Sequence, residues 1–297
     1  MLNRRQLLAL SGALAATGTL AACGGDSKSG SGGDKKELTI GYLPAWTDGL
    51  STAYLLDNLL SEKGYKVNHQ ELNDAGVLYT GLAKGDIDLY ASAWPEVTHK
   101  SYMEKFGDKI EDLGSYYDNA KLTIAVPEYT DVTSIEELKD QADRFGKVMY
   151  GIEPGAGLTE ATQDRVFPEY GLEDAGWELK TSSTPAMLSE LEKATKAKKD
   201  IVVTLWRPFW ANSAYPVKDL KDPKGSLGES EALHWLGREG FKEELGEVAE
   251  LLGKLKFSDE VYNDLEDKVV NEYGEGKEEE AVKAFLKDNP DAVPSSK

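Results

Sequence analysis

Along residues 37–290 short apolar runs take turns with longer stretches of helical spacing. Leu38 to Leu43 is a compact apolar run of the kind a buried strand needs. Leu50 to Lys63 then carries Ala53, Leu56 and Leu60 on one helical face and stops at Gly64. Lys66 to Leu72 predicts a second strand, Asp74 to Lys84 a second helix and Asp86 to Ala93 a third strand. The rhythm then repeats. Lys121 to Val126 reads as a strand, and Ser134-Ile135-Glu136-Glu137 as a capping box opening a helix. Val148 to Ile152 is a strand followed by a Gly-rich turn and a helix from Leu158, and Glu178 to Thr181 is the next strand. Thr184-Pro185 opens a helix with Met187, Leu188 and Leu191 inward, since proline suits a first helical position. Ile201 to Leu205 closes this second set as a strand. Helices follow, one capped by Ser258 and running through Val269, and one over Lys277 to Lys287.

Two βα sets in one chain predict an α/β protein of two lobes with a cleft between them, the usual place for a small ligand. The expected division puts 37–126 plus 211–297 in one lobe and 127–210 in the other.

The first 22 residues have a different character. Arg4 and Arg5 precede an apolar run from Leu7 to Leu20, which is short and broken by Ser11, Gly12, Thr17 and Gly18, and so reads as a signal peptide. Both the general secretory route and the twin-arginine route suit it. Leu20-Ala21-Ala22-Cys23-Gly24 resembles the lipobox of bacterial lipoproteins, which implies diacylglyceryl transfer to the Cys23 thiol. Cys23 is the only cysteine, which rules out an intramolecular disulfide and any Cys-based metal cluster. Acyl chains bind at about 0.8 kcal/mol per buried CH₂, so such an anchor holds the protein on the outer face of the membrane. Residues 23–36 then form a Gly/Ser/Lys/Asp tether.

Removing residues 1–22, whose charges are Arg4 and Arg5, takes the formal charge from −19 to −21. A chain this acidic is a poor partner for nucleic acid. No nucleophile motif, metal-ligand cluster or phosphate loop stands out, so no catalysis and no cofactor are expected. A lipoprotein with a purely scaffolding role is the other class to separate from ligand capture.

The informative residues are tryptophans. Three of the six follow predicted strands: Trp46 after Leu38–Leu43, Trp94 after Asp86–Ala93 and Trp206 after Ile201–Leu205. Ligands of open α/β sheets bind outside the carboxyl ends of strands, so three indoles drawn from both lobes are placed to converge. A quaternary ammonium has no N–H to donate and carries a full charge under apolar methyls. Aromatic faces satisfy both, at about 0.5–2 kcal/mol per contact. A zwitterion also needs an anion site. Gly151-Ile152-Glu153-Pro154-Gly155-Ala156-Gly157-Leu158-Thr159 runs from a strand through a Gly turn into a helix start, where free backbone N–H groups bind anions and Gly lets a ligand come close. His99, five residues beyond Trp94, can donate an imidazole N–H to the same carboxylate. His69 and His234 read as structural, and Trp177, Trp210 and Trp235 as packing residues.

Ser92-Ala93-Trp94-Pro95-Glu96-Val97-Thr98-His99, Gly151 to Gly157, and Asp200 to Trp210, with Val126-Pro127-Glu128-Tyr129 and Leu220-Lys221-Asp222-Pro223-Lys224, resemble the glycine betaine-binding proteins of osmoprotectant ABC importers. The resemblance covers nearly all of residues 37 to 290. It implies a two-lobed periplasmic-binding-protein fold of type II that closes on its ligand. It further implies an ammonium cage of Trp46, Trp94 and Trp206, and carboxylate binding by Gly157, Leu158 and His99. The expected partners are a quaternary-ammonium solute and an importer permease, met by a monomer. Choline, carnitine and proline betaine are the alternative ligands.

Overall fold

The structure is a computed structural model and describes residues 36–294. The signal peptide, Cys23 and nearly all of the tether therefore lie outside the described residues. No helix among those described is long and apolar enough to cross a membrane.

A nine-stranded mixed sheet runs through the molecule. Its strands are β1 (Glu37–Tyr42), β2 (Lys66–Glu71), β3 (Leu89–Ala93), β4 (Ile110–Pro127), β5 (Val148–Tyr150), β6 (Glu178–Lys180), β7 (Val202–Arg207), β8 (Val217–Asp219) and β9 (Glu231–Arg238). They lie in the order β2-β1-β3-β9-β4-β7-β5-β6, with β8 also on β4. β1 pairs in parallel with β2 and β3, and β5 in parallel with β6 and β7. These are the two βα sets of the sequence, and the α/β class is as expected.

The long strand β4 joins the two halves. Its first part, Ile110–Ala120, is antiparallel to β9, and Lys121–Ala125 is antiparallel to β7. Only this second part is apolar enough to be read as a strand beforehand. The first part, β8 and β9 are additions to the expected list. Three register shifts interrupt the β4–β9 ladder, and they break the alternation that would have announced it.

Local chemistry sets the helices. Thr47–Glu62 buries Ala53, Leu56 and Leu60 against the sheet. Asp74 caps Ala75–Lys84 by accepting from the Val77 N–H at 3.0 Å, and Gly85, at φ 78°, ends it in the left-handed region. Ser183 caps Thr184–Lys196, with Pro185 in its first turn. The capping box expected at Ser134 takes another form. Ile135–Phe145 is a 3-10 segment; Ser134 Oγ accepts from the Glu136 N–H, and the Glu137 carboxylate accepts from the N–H and hydroxyl of Thr133.

Three tryptophans serve the core. Trp235 is fully buried and stacks on Tyr116 with ring centroids 3.9 Å apart. Trp177 donates from Nε1 to the Leu138 carbonyl, and Trp210 sits edge-on to Phe209.

Candidate functional site

Each expected site residue within the described region sits at or beyond the carboxyl end of a strand. Trp46 lies in the turn after β1, where its N–H donates to the Leu43 carbonyl and it caps helix Thr47–Glu62. Trp94 directly follows β3. Trp206 is the penultimate residue of β7, not a loop residue, and pairs across the sheet with Leu122 of β4. Its indole stacks on Phe209 with centroids 3.9 Å apart. Gly157 and Leu158 begin the helix that follows β5.

All six converge on one pocket. Trp46, Trp94, His99, Gly157, Leu158 and Trp206 line about 330 Å³ of empty space together with Asp48, Thr98, Leu122, Ile152 and Ala156. Both halves of the sheet contribute. Cys23 is not among the described residues.

The loop carrying Trp94 and His99 is shaped by one acid. Glu231, at the start of β9, accepts from the N–H groups of Glu96, Val97 and Thr98 and from the Thr98 hydroxyl. That clamp turns the chain so that His99 points back at Trp94. The Trp94 N–H donates to His99 Nδ1 at 3.1 Å. A backbone N–H can only donate, so Nδ1 is unprotonated and the neutral ring carries its proton on Nε2. Burial holds the ring neutral, with its pKa pushed down to about 3. The imidazole lies nearly parallel to the Trp46 indole, centroids 6.2 Å apart and planes 16° apart.

Asp48 is the residue that sequence reasoning passed over. It is buried, and its Oδ2 accepts from Ser92 Oγ at 2.5 Å and from Trp94 Nε1 at 3.2 Å. Oδ1 has no such partner among the described residues. Burial raises its pKa, while the Ser92 and Trp94 hydrogen bonds pull the other way. A carboxyl beside two indoles is a natural counter-charge for a cation. Behind it, Thr47 Oγ1 donates at 2.8 Å to Glu266, whose pKa is pushed up to about 8 by burial and by Asp48. The signal was present in Trp46-Thr47-Asp48, but an acid in a first helical turn is ordinary.

At the opposite wall the helix entered at Gly157 offers backbone N–H groups. The first intrahelical bond is Glu160 N–H to the Ala156 carbonyl, so the N–H groups of Gly157 and Leu158 precede the ladder. Among the described residues no group of His, Cys, Asp and Glu is arranged to hold a metal.

Residues 36–288 match the family described as the substrate binding domain of ABC-type glycine betaine transport system. A 165-residue stretch is 38% identical to the glycine betaine/carnitine transport binding protein GbuC of Listeria monocytogenes serotype 1/2a (strain 10403S), covering 55% of this chain and 53% of that protein. The match thus spans about half the length of that relative. Among solved structures, lactococcal OpuAC in its closed-liganded conformation with glycine betaine superposes with a TM-score of 0.78 at 34% identity, covering 86% of this chain and 97% of that one. An ABC-transporter choline binding protein in complex with choline gives 0.75 at 26% identity, over 86% and 89% of the two chains.

Proposed function

Because the chain belongs to the family of substrate-binding domains of ABC-type glycine betaine transport systems, we propose that it captures glycine betaine and delivers it to the permease of an ABC importer. This family supplies the binding component of a transporter and is not enzymatic. The observation that carries the ligand assignment is the meeting of three indoles, a neutral His99 and a helix start in one pocket.

In this reading Trp46, Trp94 and Trp206 surround the trimethylammonium group with ring faces, and Asp48 supplies the buried counter-charge beneath them. The carboxylate accepts from His99 Nε2–H and from the N–H groups of Gly157 and Leu158, assisted by the helix dipole. Ligand touching both halves stabilises a closed arrangement, as differential affinity for two states requires. The lobe division is part of the same proposal. The sequence drew it at 127–210; the pairing of Lys121–Ala125 with β7 and of β8 with Ala125–Pro127 supports a second lobe that starts near Lys121 and extends past residue 219.

Lipidation at Cys23 would anchor a monomeric protein on the extracytoplasmic face of the membrane, with residues 24–36 as tether. Choline is the second reading, favoured by Asp48, whose carboxyl serves an onium with no carboxylate of its own. Carnitine and proline betaine share the onium and carboxylate chemistry of glycine betaine. Calorimetric titration with all four tests the assignment. The reading predicts saturable one-to-one binding with glycine betaine tightest; absence of heat and of any Trp fluorescence change for all four would overturn it.

A further inference from the structure

Glu153 does more than continue the Gly-rich turn. Its Oε1 accepts from the Thr184 N–H at 2.8 Å, at the start of helix Thr184–Lys196. Its Oε2 accepts from Thr184 Oγ1 at 2.8 Å and from Trp46 Nε1 at 3.1 Å. Trp46 and Glu153 stand 107 residues apart and belong to opposite halves of the sheet. The helix-cap bonds fix the carboxylate within its own half, so the free end of that arrangement is aimed across the cleft at a cage indole.

Neighbouring contacts follow the same seam. Tyr102 Oη donates to the Gly155 carbonyl at 2.7 Å, and Ser101 Oγ to Glu160 at 2.9 Å. Glu153 differs in that its partner is a cage wall. It also lines an outer groove with Leu43, Pro44, Glu71 and Ser183, whereas Trp46 lines the inner pocket. The Trp46–Glu153 pair therefore stands in the wall between the cage and that groove.

We infer that Glu153 is a positioning residue that sets ligand retention: its carboxylate, anchored on Thr184, holds the Trp46 indole across the seam and latches the occupied cleft. The inference rests on the solute-capture reading and adds a specific residue to it. An opening molecule breaks this hydrogen bond before the ligand leaves, so the bond enters the dissociation rate. Entry into an open cleft does not involve it.

Glu153→Gln is the informative change. Thr184 N–H and Trp46 Nε1–H donate to different oxygens, and an amide presents an NH₂ to one of them. A hydrogen bond to a charged acceptor is worth roughly tenfold in an equilibrium constant. Stopped-flow Trp fluorescence with glycine betaine should show koff raised about tenfold with kon within about twofold. The same substitution made on Trp46→Phe, which lacks the indole N–H, should leave koff where Trp46→Phe alone puts it. A purely local role in capping helix Thr184–Lys196 predicts a lower melting temperature without ligand, with koff unchanged or equally raised in both backgrounds, and either koff result overturns the inference. If the native protein binds no onium compound, the functional reading fails instead, and the two failures are distinct.

Discussion

Gly157 faces Thr98 across the cleft so closely that a Cβ added to the glycine would lie 1.9 Å from the Thr98 carbonyl oxygen. The obstacle is backbone, held in place by the Glu231 clamp, so no side chain can swing aside to relieve it. Gly157→Ala should therefore keep the two halves from meeting while leaving each half intact. The expected result is a loss of betaine affinity of about a hundredfold or more, with the melting temperature of the ligand-free protein nearly unchanged. Calorimetric titration beside a thermal melt checks both parts.

His99 is expected to act by its Nε2–H on a carboxylate, so its removal should depend on the ligand. His99→Ala should weaken glycine betaine by about tenfold or more and choline far less. Equal losses for both would count against the assigned role. Because burial holds the folded pKa at about 3, the ring stays neutral throughout the neutral range. The unfolded chain takes up this proton near pH 6.5, so the His99 contribution to stability is full above that pH and is lost as pH falls toward 3.

What could be read beforehand follows from which residues advertise themselves. Trp46, Trp94 and Trp206 each end an apolar strand run, and the carboxyl-end rule for α/β sheets turned that into a shared pocket. Gly157 and His99 carried recognisable chemistry. Asp48, Glu153, Glu231 and Glu266 did not, because one acid among 53 becomes unusual only through burial and partners, which are tertiary facts. The same holds for the first part of β4, whose Asp112-Leu113-Gly114-Ser115 stretch resembles a loop until β9 pairs with Asp112 and Ser115.

Glu266 makes a prediction about alkaline stability. Its folded pKa is about 8, raised above the ordinary 4.5 chiefly by burial, with Asp48 adding to the effect. Between those values the native state keeps a proton that the unfolded chain has released. Stability therefore falls as pH rises through that window. Glu266→Gln keeps an acceptor for Thr47 Oγ1 and removes the titration. Thermal melts from pH 5 to about 8.5 should show a flatter profile for the variant and a higher melting temperature than the native protein at the alkaline end. Parallel profiles would mean that Glu266 is ionised in the fold.

The cage predicts a graded response at three positions. Replacing Trp46, Trp94 or Trp206 by Ala should each cost on the order of tenfold or more in onium affinity, since each removes a ring face from a desolvated cation. Trp46→Phe should cost less than Trp46→Ala, because a weaker face remains. Fluorescence titration reads all four variants. A Trp206→Ala protein that binds like the native one would take that indole out of the cage and leave Phe209, its stacking partner, as its sole function.

Asp48 links affinity to pH. Its carboxyl is buried and biased toward the neutral form, yet a cation arriving between Trp46 and Trp94 favours the ionised form. Onium binding should then release a proton, and affinity should rise with pH through the titration of Asp48, above the ordinary 3.8. His99 does not interfere, because it stays neutral down to about 3. Glu266 is near enough to feel Asp48 and itself titrates at about 8, so the measurement belongs in the Glu266→Gln background. There, Asp48→Asn keeps an oxygen to accept from Trp94 Nε1 and should lower choline affinity by about tenfold. It should also abolish both the pH slope and the proton release seen by calorimetry in buffers of different ionisation heat. Native affinity with the slope intact would show that Asp48 only orients Ser92 and Trp94, and that the indole faces carry the cation without a counter-charge.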